Sequence, residues 1–416
     1  MILPSFMEYI FLDSQLFFML MIFTFHQCPL YIICTIQNVD LKTLFYLAQC
    51  QQVVKVKPYF RQLKYLIYLY KNILNMIGIS RGLTQDFVKK APKIELHAHL
   101  NGCVRRQTLF EIAQRKQINV DFSIFDLRNI RGAFSIFQLI HQVLGDLSDI
   151  RRVSREVLED FRDQNVAYLE IRTTPKSCEL GTYTKEQYLA TVIDEIQQFQ
   201  QQYGHKMQAR LLVSIDRGRP LEDAQSTFDH ILKLKNNNLI VGLDFSGNPT
   251  KSTFKEYEQL LEQARKEGLK ITIHVAELEG DEYIQESLDI VNFKPDRLGH
   301  FNFYNQNLYN KVRQLDIPIE MCPTSNFYTV NMKSLSEHHF KEFFYQGHTI
   351  NLNTDDTCVF DTDITQEHFK MIQAFNLSTD EFKQLLIRSS SMIFDQAYKP
   401  QLLQRINEYF SNHQKE

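Results

Sequence analysis

The 416-residue sequence lacks the features that mark several large classes of protein. It contains no Cys-x-x-Cys pair, and its seven cysteines are odd in number and widely spaced, so neither a disulfide scaffold nor a thiolate zinc site is expected. These cysteines are Cys28, Cys34, Cys50, Cys103, Cys178, Cys322 and Cys358. Buried, inert thiols in a reducing compartment, the cytoplasm, are their expected state. No G-x-G-x-x-G or Walker loop occurs either, which argues against a nucleotide-binding open sheet.

The sequence also has no excess of basic charge. It carries 46 Lys and Arg against 49 Asp and Glu, for a net charge of -3 with histidine neutral. Long nucleic acids usually select a basic surface, so we expect no nucleic-acid polymer as a partner. With 44% hydrophobic and 23% charged residues, the composition is that of a soluble globular protein that can fill a core. We expect a monomer that binds a small molecule.

Residues 1–90 differ in composition from the remainder of the chain. They are rich in Phe, Leu, Ile, Tyr and Met and poor in glycine and charge. The apolar run 16–23 is too short to span a bilayer, and no basic signal-peptide region precedes it, so no membrane partner is expected. Three interpretations remain open. The segment is a helical extension packed on the following domain, a weakly membrane-associating segment, or a stretch outside the functional protein with translation starting near Met76.

From about residue 91, short apolar runs alternate with amphipathic stretches at helical spacing, such as 253–267. Eight runs are strand candidates, namely Ile94–Leu100, Val166–Thr173, Arg210–Asp216, Ile240–Phe245, Ile271–Ala276, Arg297–His300, Ile317–Met321 and Thr349–Thr354. Strands that alternate with helices predict a parallel α/β fold, and eight units favour a closed (β/α)8 TIM-type barrel over a doubly wound sheet. We therefore predict a barrel domain with C-terminal helices over residues 91–416.

Polar side chains follow nearly every predicted strand. They are His97 and His99, Thr173 and Thr174, Asp216, Ser246 and Gly247, His274 and Glu277, His300, Thr324 to Asn326, and Asp355 with Asp356. In a parallel barrel the carboxyl ends of all strands meet at one face, where enzymes of this fold work. In an open sheet the same residues would be spread along an edge. The pattern therefore favours the barrel and one shared site.

Four of these residues predict a metal site. His97 and His99 are two apart on a strand, so both imidazoles point to the same side. His274 ends the fifth predicted strand and Asp355 the eighth. Taken singly, His274 can be a buried core histidine and Asp355 a helix cap. Together, three neutral imidazoles and one carboxylate suit Zn2+ with a position left open for an activated water.

The neighbouring residues suggest proton transfer and substrate contact. Glu277, just past its strand, is placed to face a substrate and shuttle protons, or else caps the next helix. His300 can hold or deprotonate the attacking water, or is an ordinary buried histidine. Asp356 should point away from Asp355 because successive strand residues alternate. Gly247 allows a flat ring to approach the backbone N–H, or is simply a turn glycine.

Several motifs resemble the adenosine and AMP deaminase family. The strings I-E-L-H-A-H-L-N-G, I-H-V-A-E, R-L-G-H and T-D-D occur in the family's order. Further strings, Y-L-E-I-R-T-T-P-K, S-I-D-R, G-L-D-F-S-G-N-P and C-P-T-S-N, look closer to the adenosine deaminase-like branch, whose members act as N6-methyl-AMP deaminases. The resemblance covers about residues 91 to 395.

The resemblance implies roles for individual residues. The zinc ligands are His97, His99, His274 and Asp355, with one ion per subunit. Glu277 is the proton donor to purine N1, while His300 and Asp356 handle the attacking hydroxide. The implied substrate-binding positions are His99, Asn101, His141, Thr173, Thr174, Pro175, Lys176, Asp216, Gly247, Glu277 and Asp356. We add Lys176 and Arg217 as candidates for binding a 5′-phosphate.

The reaction implied by the resemblance is hydrolytic deamination at C6 of a purine nucleotide through a zinc-activated hydroxide, converting N6-methyl-AMP to IMP and methylamine. Deamination of adenosine to inosine is the alternative reaction. A purine-nucleotide-binding barrel without catalysis is the alternative of another class, and Glu277 argues against it because a pure binder needs no proton donor. The sequence departs from the family's usual residues at Cys103, Asn248, Phe301 and Thr357, and none of these is a predicted ligand.

Overall fold

Eight parallel strands form one sheet in the computed structural model, which describes residues 83–120, 130–178, 182–234 and 237–413. The strands are β1 Lys93–His99, β2 Val166–Thr173, β3 Gln208–Asp216, β4 Ile240–Ser246, β5 Lys270–Val275, β6 Arg297–His300, β7 Ile319–Met321 and β8 Ile350–Leu352. Each strand pairs in parallel with the next one along the chain. All eight predicted strands are confirmed, with ends shifted by at most two residues.

The sheet closes on itself between β8 and β1. Ala98 forms a parallel bridge with Asp355, just beyond the end of β8. Below this bridge, two asparagine side chains bond to the backbone of β1. Asn353 Oδ1 accepts the N–H of Leu96 at 3.0 Å, and Asn351 Nδ2 donates to a β1 carbonyl at 3.1 Å. The eight strands thus form the predicted (β/α)8 barrel.

Helices occupy the connections between strands and the C-terminal part of the chain. They are α1 Gln85–Lys90, α2 Arg106–Arg115, α3 Ile130–Val143, α4 Leu147–Asp163, α5 Lys185–Tyr203, α6 Leu221–Lys233, α7 Phe254–Lys266, α8 Asp281–Phe293, α9 Gln306–Leu315, α10 Pro323–Val330, α11 Phe340–Phe344, α12 Thr357–Phe360, α13 Ile364–Phe375, α14 Thr379–Ser389 and α15 Lys399–His413. Short 3-10 turns cover Asn101–Cys103 and Leu335–Glu337.

Helix α7 shows why these segments are helical. Thr253 and Glu256 form a capping box, in which the Thr253 N–H donates to Glu256 Oε1 at 2.7 Å and satisfies a backbone group at the helix start. The apolar positions predicted for this helix are all buried, as the helical spacing requires. These positions are Phe254, Tyr257, Leu260, Leu261 and Ala264.

The predicted N-terminal extension, residues 1–90, lies outside the described residues except for 83–90, which include α1. The three interpretations of this segment and the domain boundary near residue 90 stay predictions. The described residues all belong to one compact unit, Gly78–Glu416. Within them, no helix is both long enough and apolar enough to cross a membrane.

Charged side chains fill the interior of the barrel. Arg172 on β2 is fully buried and donates to Asp244 on β4 at 2.9 Å and to Glu320 on β7 at 2.7 Å. Arg297 on β6 is equally buried and pairs with Glu170 and Glu320, each at 2.6 Å. Buried charges are tolerated only when they are paired, and here each arginine joins two carboxylates from different strands. The barrel is thus held together from within by an ionic network.

Candidate active site

Three imidazoles converge at the carboxyl ends of β1 and β5. His97 Nε2 lies 3.0 Å from His274 Nε2, and His99 Nε2 lies 3.2 Å from the same atom. Asp355 Oδ1 is 3.6 Å from His97 Nε2 and 3.5 Å from His99 Nε2. The structure therefore brings the four predicted ligands together, at distances that allow one ion to contact several of them.

The carboxylates in contact with Nδ1 of His97 and of His274 determine what the Nε2 atoms of these two rings present to each other. His97 Nδ1 lies 2.7 Å from Glu320, and His274 Nδ1 lies 3.1 Å from Asp244. Each Nδ1 therefore carries a hydrogen toward a carboxylate, and a neutral ring then exposes a lone pair at Nε2. Two lone pairs 3.0 Å apart repel unless a cation lies between them.

A metal ion satisfies this arrangement better than a proton. Burial lowers the pKa of His97 well below its usual value and that of His99 to about 3, so both rings are neutral. Burial also acts against protonation of His274, but Asp244 reverses the balance and raises its pKa. A proton and a metal ion compete for these lone pairs. The residues present thus fit a divalent metal ion.

The ionic network inside the barrel also holds the imidazoles of His97 and His274. Glu320 and Asp244, which hold His97 and His274, are both bound by the single guanidinium of Arg172. Carboxylates behind metal-binding histidines fix the ring orientation and raise the basicity of the ligand. The guanidinium of Arg172 therefore links the carboxylate behind His97 on β1 to the carboxylate behind His274 on β5. Charged residues within otherwise apolar strands were the sequence signal for this network, and the motif analysis did not use it.

Asp355 and Asp356 form a carboxyl pair past the end of β8. Burial raises the pKa of Asp355, but the imidazoles of His300, His99 and His274 lower it below its usual value, so it is ionised. Burial and then the charge of Asp355 raise the pKa of Asp356 well above its usual value. The two carboxyls lie close enough for the charge of Asp355 to act on Asp356. Strand alternation does not apply, because β8 ends at Leu352 and Asp355 has a left-handed φ of 61°.

The absence of a side chain at Gly102 makes room for the carboxyl group of Asp356. A Cβ atom at this position would lie 1.6 Å from Asp356 Oδ1 and 2.5 Å from its Cγ. Asp356 is 4% exposed, and its Oδ1 has no hydrogen-bond partner within the described protein. The carboxyl group that follows the neighbouring strand β8 thus requires a glycine at position 102.

We expect Gly102→Ala to inactivate the site. The methyl group must displace Asp356, and a shift of about 1 Å at reacting groups costs on the order of 100-fold in rate. Turnover of purine substrates and metal content would be measured for the purified variant. Gly145→Ala is the matched control, since a Cβ there meets only the end of the Lys116 side chain at 3.3 Å. Wild-type kcat in Gly102→Ala would contradict this role.

His300 and Glu277 face each other beside the cluster. His300 Nε2 lies 3.7 Å from Glu277 Oε1 and 4.0 Å from Asp355 Oδ2. Strand alternation would point His300 away from the barrel, since Arg297 and Gly299 point inward, but its φ of 62° turns the ring into the site. Glu277 is 28% exposed, so it is accessible to a substrate. Both residues therefore lie where the sequence places them.

Cys322 also reaches this cluster, which the sequence reasoning missed. His97, His300, Cys322 and Asp355 each offer an atom within 4.8 Å of the others, as do His97, His99 and His274. Burial raises the pKa of the Cys322 thiol well above its usual value, so it stays protonated and is a poor ligand. The imidazole and aspartate set is therefore the better donor set for a metal ion. The position of Cys322 one residue past β7 was the available signal.

The predicted substrate-binding residues fall into small contacting groups. Tyr188 of α5 is fully buried, and its hydroxyl lies 2.7 Å from Thr173 Oγ1 and 3.4 Å from Asn101 Oδ1. Gly247 has a φ of 100°, and a Cβ there would lie 2.1 Å from Asp216 Oδ1. Tyr188 is a further residue that the motifs did not indicate. Thr174, Pro175 and Lys176 continue from the end of β2.

Three basic side chains lie together near these groups. The imidazole of His141 on α3 is exposed, yet desolvation of the ring and the charges of Lys176 and Arg219 lower its pKa to about 4. Arg217, by contrast, is 4% exposed, and its guanidinium pairs with Glu286 at 2.6 Å. That ion pair disfavours Arg217 as a phosphate ligand.

Comparison with known proteins agrees with this geometry. The family model described as adenosine deaminase matches residues 92–409. A Danio rerio protein named N6-Methyl-AMP deaminase is 35% identical over 308 residues, covering 71% of this chain and 88% of that protein. A Homo sapiens protein of the same name is 32% identical over 323 residues, covering 74% and 90%. The crystal structure of arabidopsis ADAL complexed with IMP superimposes with a TM-score of 0.73 at 33% identity, covering 79% of this chain and 99% of that chain.

Proposed function

This chain belongs to the adenosine deaminase family, and we propose that it removes methylamine from N6-methyl-AMP to give IMP, using one Zn2+ ion. The observation that carries this proposal is the convergence of three imidazole nitrogens and Asp355 beside the partly exposed carboxyl of Glu277. Three nitrogen ligands and one carboxylate are a donor set typical of hydrolytic zinc.

The metal ligands in this proposal are His97, His99, His274 and Asp355. When bound, the zinc ion supplies an acidified water at neutral pH. The chain's own residues bind and protonate the substrate around that water. Glu277 donates a proton to purine N1, which keeps negative charge from building up on the ring as C6 becomes tetrahedral.

The remaining polar residues hold the substrate and the attacking water. Asp356 Oδ1, buried and without a protein partner in the described residues, contacts the water or the substituent at C6. The backbone N–H of Gly247 approaches the ring, as its left-handed φ permits. The C6–N6 bond then breaks, and methylamine leaves with a proton while the ring keeps the oxygen.

A nucleotide rather than a nucleoside is favoured by the three basic side chains. His141, Lys176 and Arg219 lie close enough together that two of the charges depress the pKa of the third. A 5′-phosphate would accept charge-assisted hydrogen bonds from side chains of this kind. Arg219 has Asp216 at 3.5 Å and Asp223 at 3.7 Å, so its charge is partly shared.

A panel of four substrates tests the function. We expect the purified zinc-loaded protein to convert N6-methyl-AMP to IMP and methylamine faster than it converts AMP, N6-methyladenosine or adenosine, with products identified by mass spectrometry and zinc measured in the same sample. Turnover of adenosine but not N6-methyl-AMP would make the protein an adenosine deaminase. Binding of all four without turnover would make it a non-catalytic purine-binding barrel.

Lys176→Met tests the phosphate site within the same panel. Removing one charge-assisted contact costs about 1.5–3 kcal/mol, which is roughly 10- to 100-fold in KM for N6-methyl-AMP, and leaves KM for the nucleosides unchanged. Lys255→Met is the matched control, because Lys255 pairs with Glu258 on the exposed face of α7. If Lys176→Met raised KM equally for nucleotides and nucleosides, Lys176 would not be a phosphate ligand.

A further inference from the structure

His300 is connected to a chain of buried polar groups on the side away from the substrate. Asn326 Oδ1 on α10 lies 3.2 Å from His300 Nδ1, and Asn326 Nδ2 lies 3.1 Å from His338 Nε2. His338 Nδ1 accepts the backbone N–H of Phe340 at 3.0 Å. Asn326 and His338 are both fully buried. Bulk water therefore cannot supply an alternative hydrogen-bond partner to either side chain.

The backbone amide at the far end of this chain fixes the position of every proton in it. An amide N–H can only donate, so His338 Nδ1 must carry a lone pair, and the ring's proton must be on Nε2. Burial also lowers the pKa of His338 well below its usual value, which agrees with a neutral ring. His338 Nε2–H therefore needs an acceptor from Asn326.

The amide of Asn326 must then present oxygen to His338 and nitrogen to His300. With Nδ2 toward His338, two N–H donors would face each other at 3.1 Å. A half-turn of the amide exchanges the two terminal atoms without moving the rest of the side chain, and hydrogen bonding decides between the two orientations. In the turned orientation, Asn326 Nδ2 donates to His300 Nδ1, which must therefore hold a lone pair. Each hydrogen-bonding group that links His300, Asn326 and His338 then has a partner.

We propose that Asn326 and His338 are positioning residues that fix His300 in the tautomer with its proton on Nε2. This inference rests on the proposed function, because it assigns His300 a defined part in the same reaction. Nε2–H faces the side of the site that holds Glu277 and Asp355, at 3.7 and 4.0 Å. With its proton on Nε2, His300 orients the attacking water by a hydrogen bond and cannot accept the proton of that water at Nε2, so this proton passes to a carboxyl group instead.

The position of Asn326 is itself fixed from behind. Helix α10 begins at Pro323, and its second residue, Thr324, donates both its backbone N–H, at 2.8 Å, and its hydroxyl to Glu367. Glu367 on α13 is fully buried. The carboxylate of Glu367 therefore caps the N-terminus of α10, where a negative charge interacts favourably with the helix dipole. Asn326 can thus act as a rigid link rather than a mobile surface amide.

Two substitutions of His338 test the proposal against a merely structural role. His338→Gln keeps an N–H donor near the Nε2 position, whereas His338→Leu has none, and both lose the acceptor for Phe340. We expect both variants to lose similar thermal stability. We expect kcat on N6-methyl-AMP to fall about 100-fold in His338→Leu and much less in His338→Gln, with KM and zinc content unchanged in both. Equal kcat in the two variants would overturn the proposal.

Asn326→Asp tests the tautomer directly. A carboxylate can only accept, so His300 must then carry a proton on Nδ1. Histidine-selective 15N labelling of the zinc-loaded protein, with His300→Ala to assign the signal, reports which nitrogen is protonated. We expect Nδ1 of His300 to be unprotonated in the wild type and protonated in the variant. A protonated Nδ1 in the wild type would refute the proposal. This readout needs no substrate, so failure of the panel would reject the function while leaving the tautomer measurable.

Discussion

Replacing Glu277 with glutamine is expected to abolish turnover while leaving the metal bound. The amide keeps the size of the side chain but cannot donate a proton to N1, and loss of a positioned acid costs on the order of 10²- to 10⁴-fold in rate. Glu277 is not one of the grouped metal ligands, so zinc content should remain one per subunit. The measurement is kcat and KM on N6-methyl-AMP together with metal analysis.

The control for this prediction lies two residues further along the chain. Glu279 is exposed on the same loop, so Glu279→Gln changes the same charge without entering the site. We expect its kcat to match the wild type. Unaltered turnover in Glu277→Gln would show that another group protonates the ring. Loss of zinc together with turnover would instead place Glu277 among the groups that hold the metal.

Replacing Arg172 with methionine is expected to have the largest effect on stability. The change leaves Asp244 and Glu320 buried without their shared guanidinium, and breaking a buried ion pair in this way costs about 3–5 kcal/mol. The free energy of unfolding would be measured by urea denaturation. Lys255→Met, which breaks an exposed pair, should cost at most about 1 kcal/mol.

The same substitution should also weaken the metal site. Glu320 and Asp244 hold His97 and His274, and disturbing such partners typically costs about 10- to 100-fold in metal affinity. Competition with a zinc chelator at a temperature where the variant is folded separates this effect from unfolding. Unchanged zinc affinity with reduced stability would mean that the arginine supports the barrel without orienting the ligands.

Local patterns were sufficient to predict the fold and the membership of the site. Strand and helix periodicities are short-range, so each of the eight strands was predicted from its own residues. His97 and His99 could be assigned to one side because both lie within β1, where alternation holds. The parallel barrel then required all strand ends to meet, which placed His274, Glu277, His300 and Asp355 on one face.

Predictions failed where the chain leaves regular geometry or where partners come from distant strands. Asp355 and His300 adopt left-handed backbone angles, so strand alternation does not apply to Asp356 and would have turned His300 outward. Arg217 was a reasonable phosphate candidate until Glu286, 69 residues later, proved to be its partner. No local pattern contains that pairing.

By itself, the sequence determined a (β/α)8 barrel with a histidine and carboxylate cluster at its active face, because periodicity and strand-end position depend on neighbouring residues. Only the tertiary structure decided the electrostatics of that cluster. Arg172 joins the residues behind two ligands, Gly102 makes room for Asp356, and Asn326 links His300 to His338. Each of these depends on distances between residues far apart in the chain, and electrostatic effects and packing act through those distances.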